Sequence, residues 1–290
     1  MELAGIIVDG KLVERAVWEN HIDELRQKTK PSTKEELKHA VVESIRKRIP
    51  KHKFGIMFSG GVDSVFIAMI CKQQKADFTC YTVGLENSND LLHAEKIANA
   101  LGLTWKAKVL TMDEFEQLMK KVAKLVGPNI MKVGVGSVVY AAAEMAKKDK
   151  IDVLFTGLGA EDIFAGYEKF FSAKDINEEC WNGLKTTYER DFLRDFPITK
   201  ALGFKALTPF LDSDVIVSAM GIAGELKIKE GQKKYIFREI AEELGLKHEF
   251  AFRKKQAAQF GAKTQKAILK LKKKNFGNQG NANDYLKTLI

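Results

Sequence analysis

The sequence predicts an α/β fold, a doubly wound parallel sheet with a helical C-terminal lobe, and three observations support this prediction. Short, almost continuous apolar runs alternate with helical patterns, as in a parallel sheet covered by helices on both faces. Residues 53–71 read as a buried strand, a glycine-rich loop and the start of a buried helix. Beyond residue 170 the strand patterns fade and helical patterns follow. With 290 residues and 45% hydrophobic composition, the chain is long and apolar enough for such a core.

The first fifty residues read as an accessory hairpin followed by one helix. Residues 5–13 suggest a small hairpin that turns at Asp9-Gly10, a pair suited to a type I′ turn. The helix is expected to open with a capping box between Ser32 and Glu35 and to stop before Pro50. It leads directly into the central strand.

The loop after the central strand carries the most informative motif, Ser59-Gly60-Gly61-Val62-Asp63-Ser64. Paired glycines let the backbone turn sharply and approach a ligand, and free N–H groups at the start of the next helix favour an anion. Asp63 would repel a phosphate unless a divalent cation lay between them, so the motif predicts magnesium as well as phosphate. No lysine follows the glycines, which excludes a Walker-type loop. The alternative is an ordinary glycine turn.

The rest of the core alternates strands with helices. We predict strands over residues 78–83, 105–110 and 151–156. A helix follows each of the first two, and the second of these opens with a capping box between Thr111 and Glu114 and runs to Val126. Further helices are predicted over residues 137–148, 186–196, 214–220 and 233–244, and the Asn- and Gly-rich residues 275–284 are expected to be loose.

A second loop, residues 156–170, follows a strand as the first loop does. Two loops at adjacent strand ends form a pocket in an open parallel sheet. Glu161 and Asp162 place two carboxylates at a predicted helix N-terminus, where they could share a cation with Asp63. The alternative is that they only stabilise the helix dipole.

Composition excludes several classes of site. The three cysteines (Cys71, Cys80, Cys180) have no metal-ligand spacing, and the five histidines are scattered, so neither a zinc site nor a histidine-based dyad is supported. No apolar run is long enough to span a membrane and no signal pattern begins the chain, so we expect a cytoplasmic protein that makes no membrane contact. Residues 247–274 hold ten lysines and arginines and one acid. This segment is either an RNA-binding surface or a solvated helix face that attracts ATP.

Taken together, the two loops resemble the synthetase domain of the asparagine synthetase family, a branch of the PP-loop (N-type) ATP pyrophosphatases. The family carries SGGxDS and, after a later strand, a segment like residues 156–167 here. Three further segments match in order: residues 82–90 resemble the adenine-side segment, residues 208–212 the PFLD segment, and residues 231–239 the family's lysine-containing helix. The resemblance covers roughly residues 35–262 and implies the adenine nucleotide alpha hydrolase-like fold.

The resemblance also implies roles for particular residues. ATP and Mg²⁺ would be the cofactors, with Asp63 and Glu161 as the metal ligands and Lys234, Glu161 and Arg238 as the catalytic residues. The nucleotide would be held by Ser59, Gly60, Gly61, Asp63, Ser64, Val83, Gly84 and Gly157. From the sequence alone, Lys234 and Arg238 lie four residues apart on one predicted helix face, where they could equally be solvated.

Three features depart from the family pattern. Leu158 stands where asparagine synthetases have a glutamate, so a carboxylate that faces the substrate is missing. The order Glu161-Asp162 reverses the family's Asp-Glu. Only 58 residues precede the loop and residue 2 is Glu2, so we expect the family's glutaminase domain to be absent.

The sequence therefore predicts an AMP-forming ligase that adenylates a carboxylate and transfers the acyl group to ammonia or an amine, releasing pyrophosphate. Its expected partners are a small-molecule carboxylate, ammonia or an amine, and a separate glutaminase subunit. The alternatives are a tRNA-modifying ATP pyrophosphatase, with tRNA as the less favoured partner, and a degenerate adenine-nucleotide-binding protein. The predicted parts are residues 1–50 (hairpin and helix), 51–170 (ATP-binding core), 171–274 (helical lobe) and 275–290 (loose tail).

Overall fold

The computed structural model describes residues 7–8, 11–254 and 257–290. Its strands are β1 (Ile7–Val8), β2 (Lys11–Leu12), β3 (Phe54–Met57), β4 (Phe78–Leu85), β5 (Trp105–Leu110), β6 (Val153–Phe155), β7 (Lys205–Leu207), β8 (Ile228–Lys229) and β9 (Gln232–Lys233). The first eight helices are α1 (Arg15–Lys28), α2 (Lys34–Arg46), α3 (Val62–Gln73), α4 (Asn89–Leu101), α5 (Met112–Val126), α6 (Ile130–Lys148), α7 (Ala160–Ile163) and α8 (Ile176–Thr187). The remainder are α9 (Leu193–Leu202), α10 (Ser213–Gly221), α11 (Tyr235–Glu243), α12 (His248–Ala251), α13 (Ala258–Gly261), α14 (Thr264–Phe276) and α15 (Ala282–Lys287).

A five-stranded parallel sheet in the order β5-β4-β3-β6-β7 forms the centre of the molecule. Ile56 of β3 pairs with Cys80 of β4 on one side and with Phe155 of β6 on the other. The strand order reverses between β3 and β6, which makes this the switch point where an open α/β sheet binds ligands. The predicted doubly wound α/β fold is confirmed.

Helices cover both faces of the sheet, which explains why the strands read as continuous apolar runs. On one face, α2, α3, α4, α10 and α11 bury Ile56 and the phenylalanines around it. On the other face, α5, α6, α9 and α14 pack over Tyr81 and Val83. The loops after β3 and β6 therefore open on the edge between these two layers.

Several elements differ from the sequence-based expectations. The sheet has a fifth strand, β7, inside the segment expected to be helical; at three residues it is too short for a periodicity signal. Helix α6 begins seven residues before the predicted start, where the Asn129 side chain accepts hydrogen bonds from the Met131 and Lys132 amides.

Of the two predicted capping boxes, one is confirmed and the other is displaced. The box at Thr111 and Glu114 is confirmed, but α2 is capped by Thr33 with Glu36, one residue later than predicted. The Ser32 hydroxyl instead donates to the Glu36 carboxylate at 3.2 Å.

The two ends of the chain complete the comparison. The N-terminal hairpin pairs Ile7 with Leu12, while its predicted turn at Asp9-Gly10 lies outside the described residues. Residues 275–290 were expected to be loose, yet they include α15, whose Tyr285 and Leu286 are buried against α6 and α14.

One π-helical turn, Tyr188–Phe192, joins α8 to α9. Such a turn inserts an extra residue into the helical ladder and often occurs at functional sites. Here it carries Arg190 and Asp191 to the wall of a large cavity that the loops after β3 and β6 also line, called the central cavity below.

In the part of the chain that the structure describes, no single helix is long and apolar enough to span a membrane. Among the described helices, only α5 and α6 taken together are long and apolar enough, and the chain bends by 113° between them.

Candidate active site

The loop after β3 is closed by hydrogen bonds among its own residues. The Ser59 amide donates to Ser64 Oγ at 3.3 Å, and Ser64 Oγ donates to the Gly61 carbonyl at 3.0 Å. The Gly61 amide donates to Ser59 Oγ at 3.4 Å. These bonds hold the loop in a turn at the N-terminus of α3, where backbone N–H groups favour an anion.

Glycine is required at Gly60 for two reasons. Its φ is +66°, in the left-handed region that side chains rarely adopt. A Cβ there would also lie 2.9 Å from the Ala94 amide nitrogen in α4. The Gly60 carbonyl accepts a hydrogen bond from Arg253 Nη2 at 2.9 Å, so the loop is also fixed from the C-terminal lobe.

Three predicted site residues meet around one ammonium group. Lys234 Nζ lies 2.8 Å from both carboxylate oxygens of Asp63 and 3.0 Å from Glu161 Oε1. Asp63 and Lys234 are each 3% exposed, whereas the Glu161 side chain is 29% exposed. Elements from three parts of the chain, α3, α7 and the start of α11, thus bring two carboxylates and one cation together.

The position of Lys234 differs from the sequence-based expectation. It is the N-cap of α11, with a left-handed φ of +58°, rather than a residue within the helix. Its backbone therefore turns directly from β9 into α11, and the side chain points back to Asp63.

Two glycines pack tightly around these charged groups. A Cβ on Gly166 would lie 1.8 Å from Glu161 Oε2 and 2.5 Å from Lys234 Cε. A Cβ on Gly157 would lie 3.1 Å from Asp63 Cβ. The second loop therefore contacts the charged cluster with its bare backbone, a role that the sequence did not reveal for Gly166.

Asp162 does not join Glu161 at this cluster. It is 1% exposed, and its Oδ2 pairs with Arg190 Nη2 at 2.6 Å. Burial raises the pKa of Asp162 to about 6, against the lowering effect of the nearby Arg190 guanidinium. Asp162 thus pairs with Arg190 instead of sharing a cation with Asp63. A metal ion shared by Asp63 and Glu161 stays a prediction.

Arg238 is buried but bonds to backbone. Its Nε donates to the Lys233 carbonyl at 2.7 Å, and its Nη1 donates to the carbonyls of Ala251 and Arg253. Burial lowers the pKa of Arg238, although Asp63 and Glu161 act in the opposite direction. In this structure Arg238 braces the segment after α11 while lining the same cavity as Lys234.

The two residues predicted on the adenine side differ in their surroundings. Val83 lines the central cavity. A Cβ on Gly84 would lie 2.2 Å from Ser88 Oγ, so Gly84 permits a tight turn after β4. The Leu85 amide donates to the Ala262 carbonyl at 3.1 Å, which closes the C-terminal segment over this turn.

A buried ionic network that the sequence analysis did not single out lines the same cavity. Arg194 Nη1 donates to Asp191 Oδ1 at 2.8 Å, and its Nε and Nη2 donate to both carboxylate oxygens of Asp195 at 2.6 Å. Arg190 lies 5.0 Å from the Tyr167 ring centre and 2.6 Å from Asp191. The signal available in the sequence was the cluster of three acids and two arginines within residues 189–195.

The cavity that these groups line has a volume of about 1090 Å³. It extends from the loop after β3, past Leu158 and Tyr167, to the inner surfaces of α6 and α9. A single drug-sized ligand fills about 300–1,000 Å³. The cavity is therefore large enough for a nucleotide and a second substrate.

The donor set fits a magnesium ion. Asp63 and Glu161 converge on a position that the Lys234 ammonium holds, so this point already favours positive charge. Among the described residues no three His, Cys, Asp or Glu side chains form a metal cluster. Two carboxylates completed by phosphate oxygens are the usual protein site for Mg²⁺.

Comparison with known proteins gives a consistent result. The asparagine synthase family model matches residues 33–185 and 172–281. A protein assigned as a glutamine-hydrolyzing asparagine synthetase in Methanocaldococcus jannaschii is 31% identical over 305 residues, 91% of this chain and 56% of that protein. The Gallus gallus asparagine synthetase is 30% identical over 228 residues, 74% of this chain and 41% of that protein. The chain thus spans about half the length of these curated relatives.

Among solved structures, the NMN synthetase of Francisella tularensis is 14% identical to the chain. The match has a TM-score of 0.36 and covers 86% of this chain and 98% of that chain.

Proposed function

The chain belongs to the asparagine synthase family, and from this premise we propose that it is an ATP-dependent, AMP-forming ligase. In this proposal it adenylates a carboxylate and transfers the acyl group to ammonia or an amine, releasing pyrophosphate. The observation that carries the proposal is the contact of Lys234 with Asp63 and Glu161 at the loop after β3. A buried cluster of this kind beside an anion-binding turn is suited to a polyphosphate.

The phosphate end of ATP would lie on the loop. The amides at the start of α3, together with the hydroxyls of Ser59 and Ser64, would bind the pyrophosphate and stabilise the charge that builds on it as it leaves. Val83 and Gly84 would contact the adenine, and Gly157 would let the backbone of the second loop approach the nucleotide.

Asp63 and Glu161 would hold magnesium, which neutralises phosphate charge when it is bound. A substrate carboxylate oxygen attacks the α-phosphorus, and the bond to the bridging oxygen of pyrophosphate breaks. The amine then attacks the acyl carbon and AMP leaves. Lys234 would stabilise the oxyanion of that second step. Arg238 would hold the backbone next to Lys234 in position through its hydrogen bond to the Lys233 carbonyl.

One observation favours the tRNA-modifying alternative. Helix α14 exposes a series of lysines, among them Lys270, Lys273 and Lys274, of the kind that contacts a phosphate backbone. For the ligase, the same charge would raise the local concentration of ATP.

The test is a pyrophosphate-release assay with ATP, Mg²⁺ and ammonium over a panel of carboxylates, run in parallel with bulk tRNA. We expect release that depends on a carboxylate and is unchanged by tRNA. Release that requires tRNA would favour the alternative, and the absence of any substrate-dependent release would contradict both enzymes in favour of a nucleotide-binding protein.

Aspartate itself is expected to be a poor substrate, because Leu158 lines the cavity next to the charged cluster and can neither accept a proton nor hydrogen-bond an amine. The measurement is asparagine and pyrophosphate formation from aspartate, ATP, Mg²⁺ and ammonium by the wild type and by Leu158→Glu. We expect activity to increase in the variant. Efficient asparagine formation by the wild type would contradict this prediction.

A further inference from the structure

The central cavity continues beyond the charged cluster as a slot between α6 and α9. On α6 the slot is lined by Val135, Val138, Val139 and Ala142, which share one helix face, and on the opposite side by Thr199, Phe204 and Ala206. Helix α6 runs back to the start of β6, so the slot descends from the ligand-binding edge of the sheet towards its other edge. The eleven residues from Lys132 to Ala142 span about 15 Å of helix.

The polar groups in this wall are already bonded within the protein. Arg194 uses its three guanidinium nitrogens on Asp191 and Asp195. Its stem packs against α6, since a Cβ on Gly136 would lie 3.6 Å from Arg194 Cγ. The Thr199 hydroxyl donates to the Phe196 carbonyl at 2.8 Å.

An amino dicarboxylate such as aspartate is therefore mismatched to the slot. Its second carboxylate would lie beside Asp191 and Asp195, whose two carboxylates already pair with the Arg194 guanidinium. Burying a third negative charge there, without a cation of its own, is costly. Removing apolar surface from water at the valines and Phe204 is favourable instead.

The mouth of the slot, unlike its apolar walls, carries a positive charge. Lys132 lies one helical turn before Val135 and lines the cavity, with no ion-pair partner among the described residues. One cation at the mouth above apolar walls matches a molecule with a single carboxylate and an apolar body.

We propose, on the basis of the ligase function above, that the acid activated by this protein is a monocarboxylic acid with an extended apolar chain that occupies the slot. The carboxylate stays at the mouth, where its oxygen attacks the α-phosphorus of ATP and displaces pyrophosphate. The chain lies along Val135, Val138 and Ala142. The slot is thus the specificity determinant for the acid, whereas the amine enters from the charged end.

The experiment is ATP–pyrophosphate exchange, which reports adenylation without an amine. Butyrate, hexanoate and octanoate are compared with aspartate and succinate at saturating MgATP. We expect exchange to increase with chain length, and aspartate and succinate to support little exchange.

Two variants test whether the apolar chain of the acid lies in the slot. Val138→Phe narrows the slot and should lower kcat/KM for octanoate about tenfold or more, with the KM for ATP unchanged. Ala142→Leu fills only the end of the slot farthest from the charged cluster. It should therefore shift the preference towards acids with a shorter apolar chain. Val17→Phe, the same substitution at a valine 48% exposed on α1, is the matched control and should leave both values unchanged.

The outcomes separate the two proposals. Exchange that is equal or better with aspartate or succinate, or an acid preference that Val138→Phe and Ala142→Leu leave unaltered, would overturn the apolar slot while leaving the ligase intact. Exchange with no acid of either series, in a protein that still binds MgATP by calorimetry, would overturn adenylation and the substrate class with it.

Discussion

Asp63 is buried because Lys234 neutralises it. A carboxylate that is 3% exposed would be costly alone, and the two 2.8 Å contacts with the ammonium compensate for that cost. In the proposed mechanism the same carboxylate would also hold a metal ion and the lysine would act on the substrate. Under that proposal, stability and catalysis would depend on the same pair of side chains.

We expect Asp63→Asn to weaken the magnesium-dependent part of ATP binding by about tenfold or more, because the amide keeps the shape of the side chain and loses its charge. Calorimetric titration of ATP with and without Mg²⁺ measures this. Asp77→Asn is the control, since that side chain is 73% exposed and 3.9 Å from Lys53. Equal magnesium dependence in wild type and Asp63→Asn would remove Asp63 from the site.

Lys234→Ala is expected to reduce turnover far more than ATP affinity. Loss of one electrostatic contact to a developing oxyanion typically costs on the order of 3 kcal/mol, or about a hundredfold in rate. Steady-state kinetics separate kcat from KM. The neighbouring Lys233 pairs with the exposed Glu168, so Lys233→Ala should be mild. Similar losses in the two variants would show that Lys234 has no special role.

Some predicted site residues are surrounded by their neighbours in the sequence, and others by residues from distant parts of the chain. The turn at Ser59, Gly60 and Gly61 could be predicted because its geometry depends on adjacent residues. The partnership of Asp162 with Arg190 could not, because it joins α7 to a π-helical turn that leaves no periodic pattern. Nothing in a single sequence fixes which of two adjacent acids faces the cavity.

At the level of elements, the hairpin of β8 and β9 delivers Lys234 to the site and is anchored at its base by Lys227. Lys227 is 0% exposed, its carbonyl accepts from the Tyr235 amide at 2.8 Å, and its ammonium contacts Met220 Sδ at 3.6 Å. Burial lowers the pKa of Lys227 from 10.5 to about 8. The fold thus carries a charged group at neutral pH in a position that disfavours it.

We expect Lys227→Met to raise the free energy of unfolding at pH 7 by on the order of 1–3 kcal/mol, because it removes a buried charge and keeps an apolar stem. Between about pH 8 and 10.5 the unfolded wild-type chain holds a proton that the folded chain has lost. Wild-type stability therefore rises with pH across this window, and the advantage of the variant shrinks.

Urea unfolding at pH 7 and at pH 9.5 measures this effect. Lys229→Met is the control, because Lys229 lies in the same hairpin with an exposed side chain. A Lys227→Met variant that is less stable than the wild type at pH 7 would show that the ammonium is stabilising.

The elements that the sequence did not predict are short or depend on distant contacts. Strand β7 has three residues and exists because it pairs with β6. Helix α15 has six residues and is held by burial of Tyr285 and Leu286 rather than by composition. Long periodic helices such as α5 need no such support, and α5 was predicted with its capping box.

For the whole molecule, the chemistry of the thiols bears on the source of nitrogen. Hydrolysis of a glutamine side chain needs an activated nucleophile, most readily an accessible thiolate. Cys71, Cys80 and Cys180 are all buried. Burial raises the pKa of each thiol, to about 12 for Cys71. These thiols are unsuited to release ammonia from glutamine.

We therefore predict that this 290-residue chain, given its acid substrate, ATP and Mg²⁺, forms product with ammonium and not with glutamine. The measurement is product formation with each nitrogen donor at equal concentration, with glutamate quantified to detect hydrolysis. Cys180→Ser is an internal control that should leave the ammonium reaction intact, since Cys180 lies on the buried face of α8 and does not line the cavity. Glutamate release that matches product formation would mean that a glutaminase activity resides in this chain. Product formation with ammonium alone would mean that a second polypeptide or domain must supply the ammonia whenever glutamine is the donor. The match covers only 56% of the Methanocaldococcus jannaschii relative, so that protein is long enough to contain such a domain in its unmatched part.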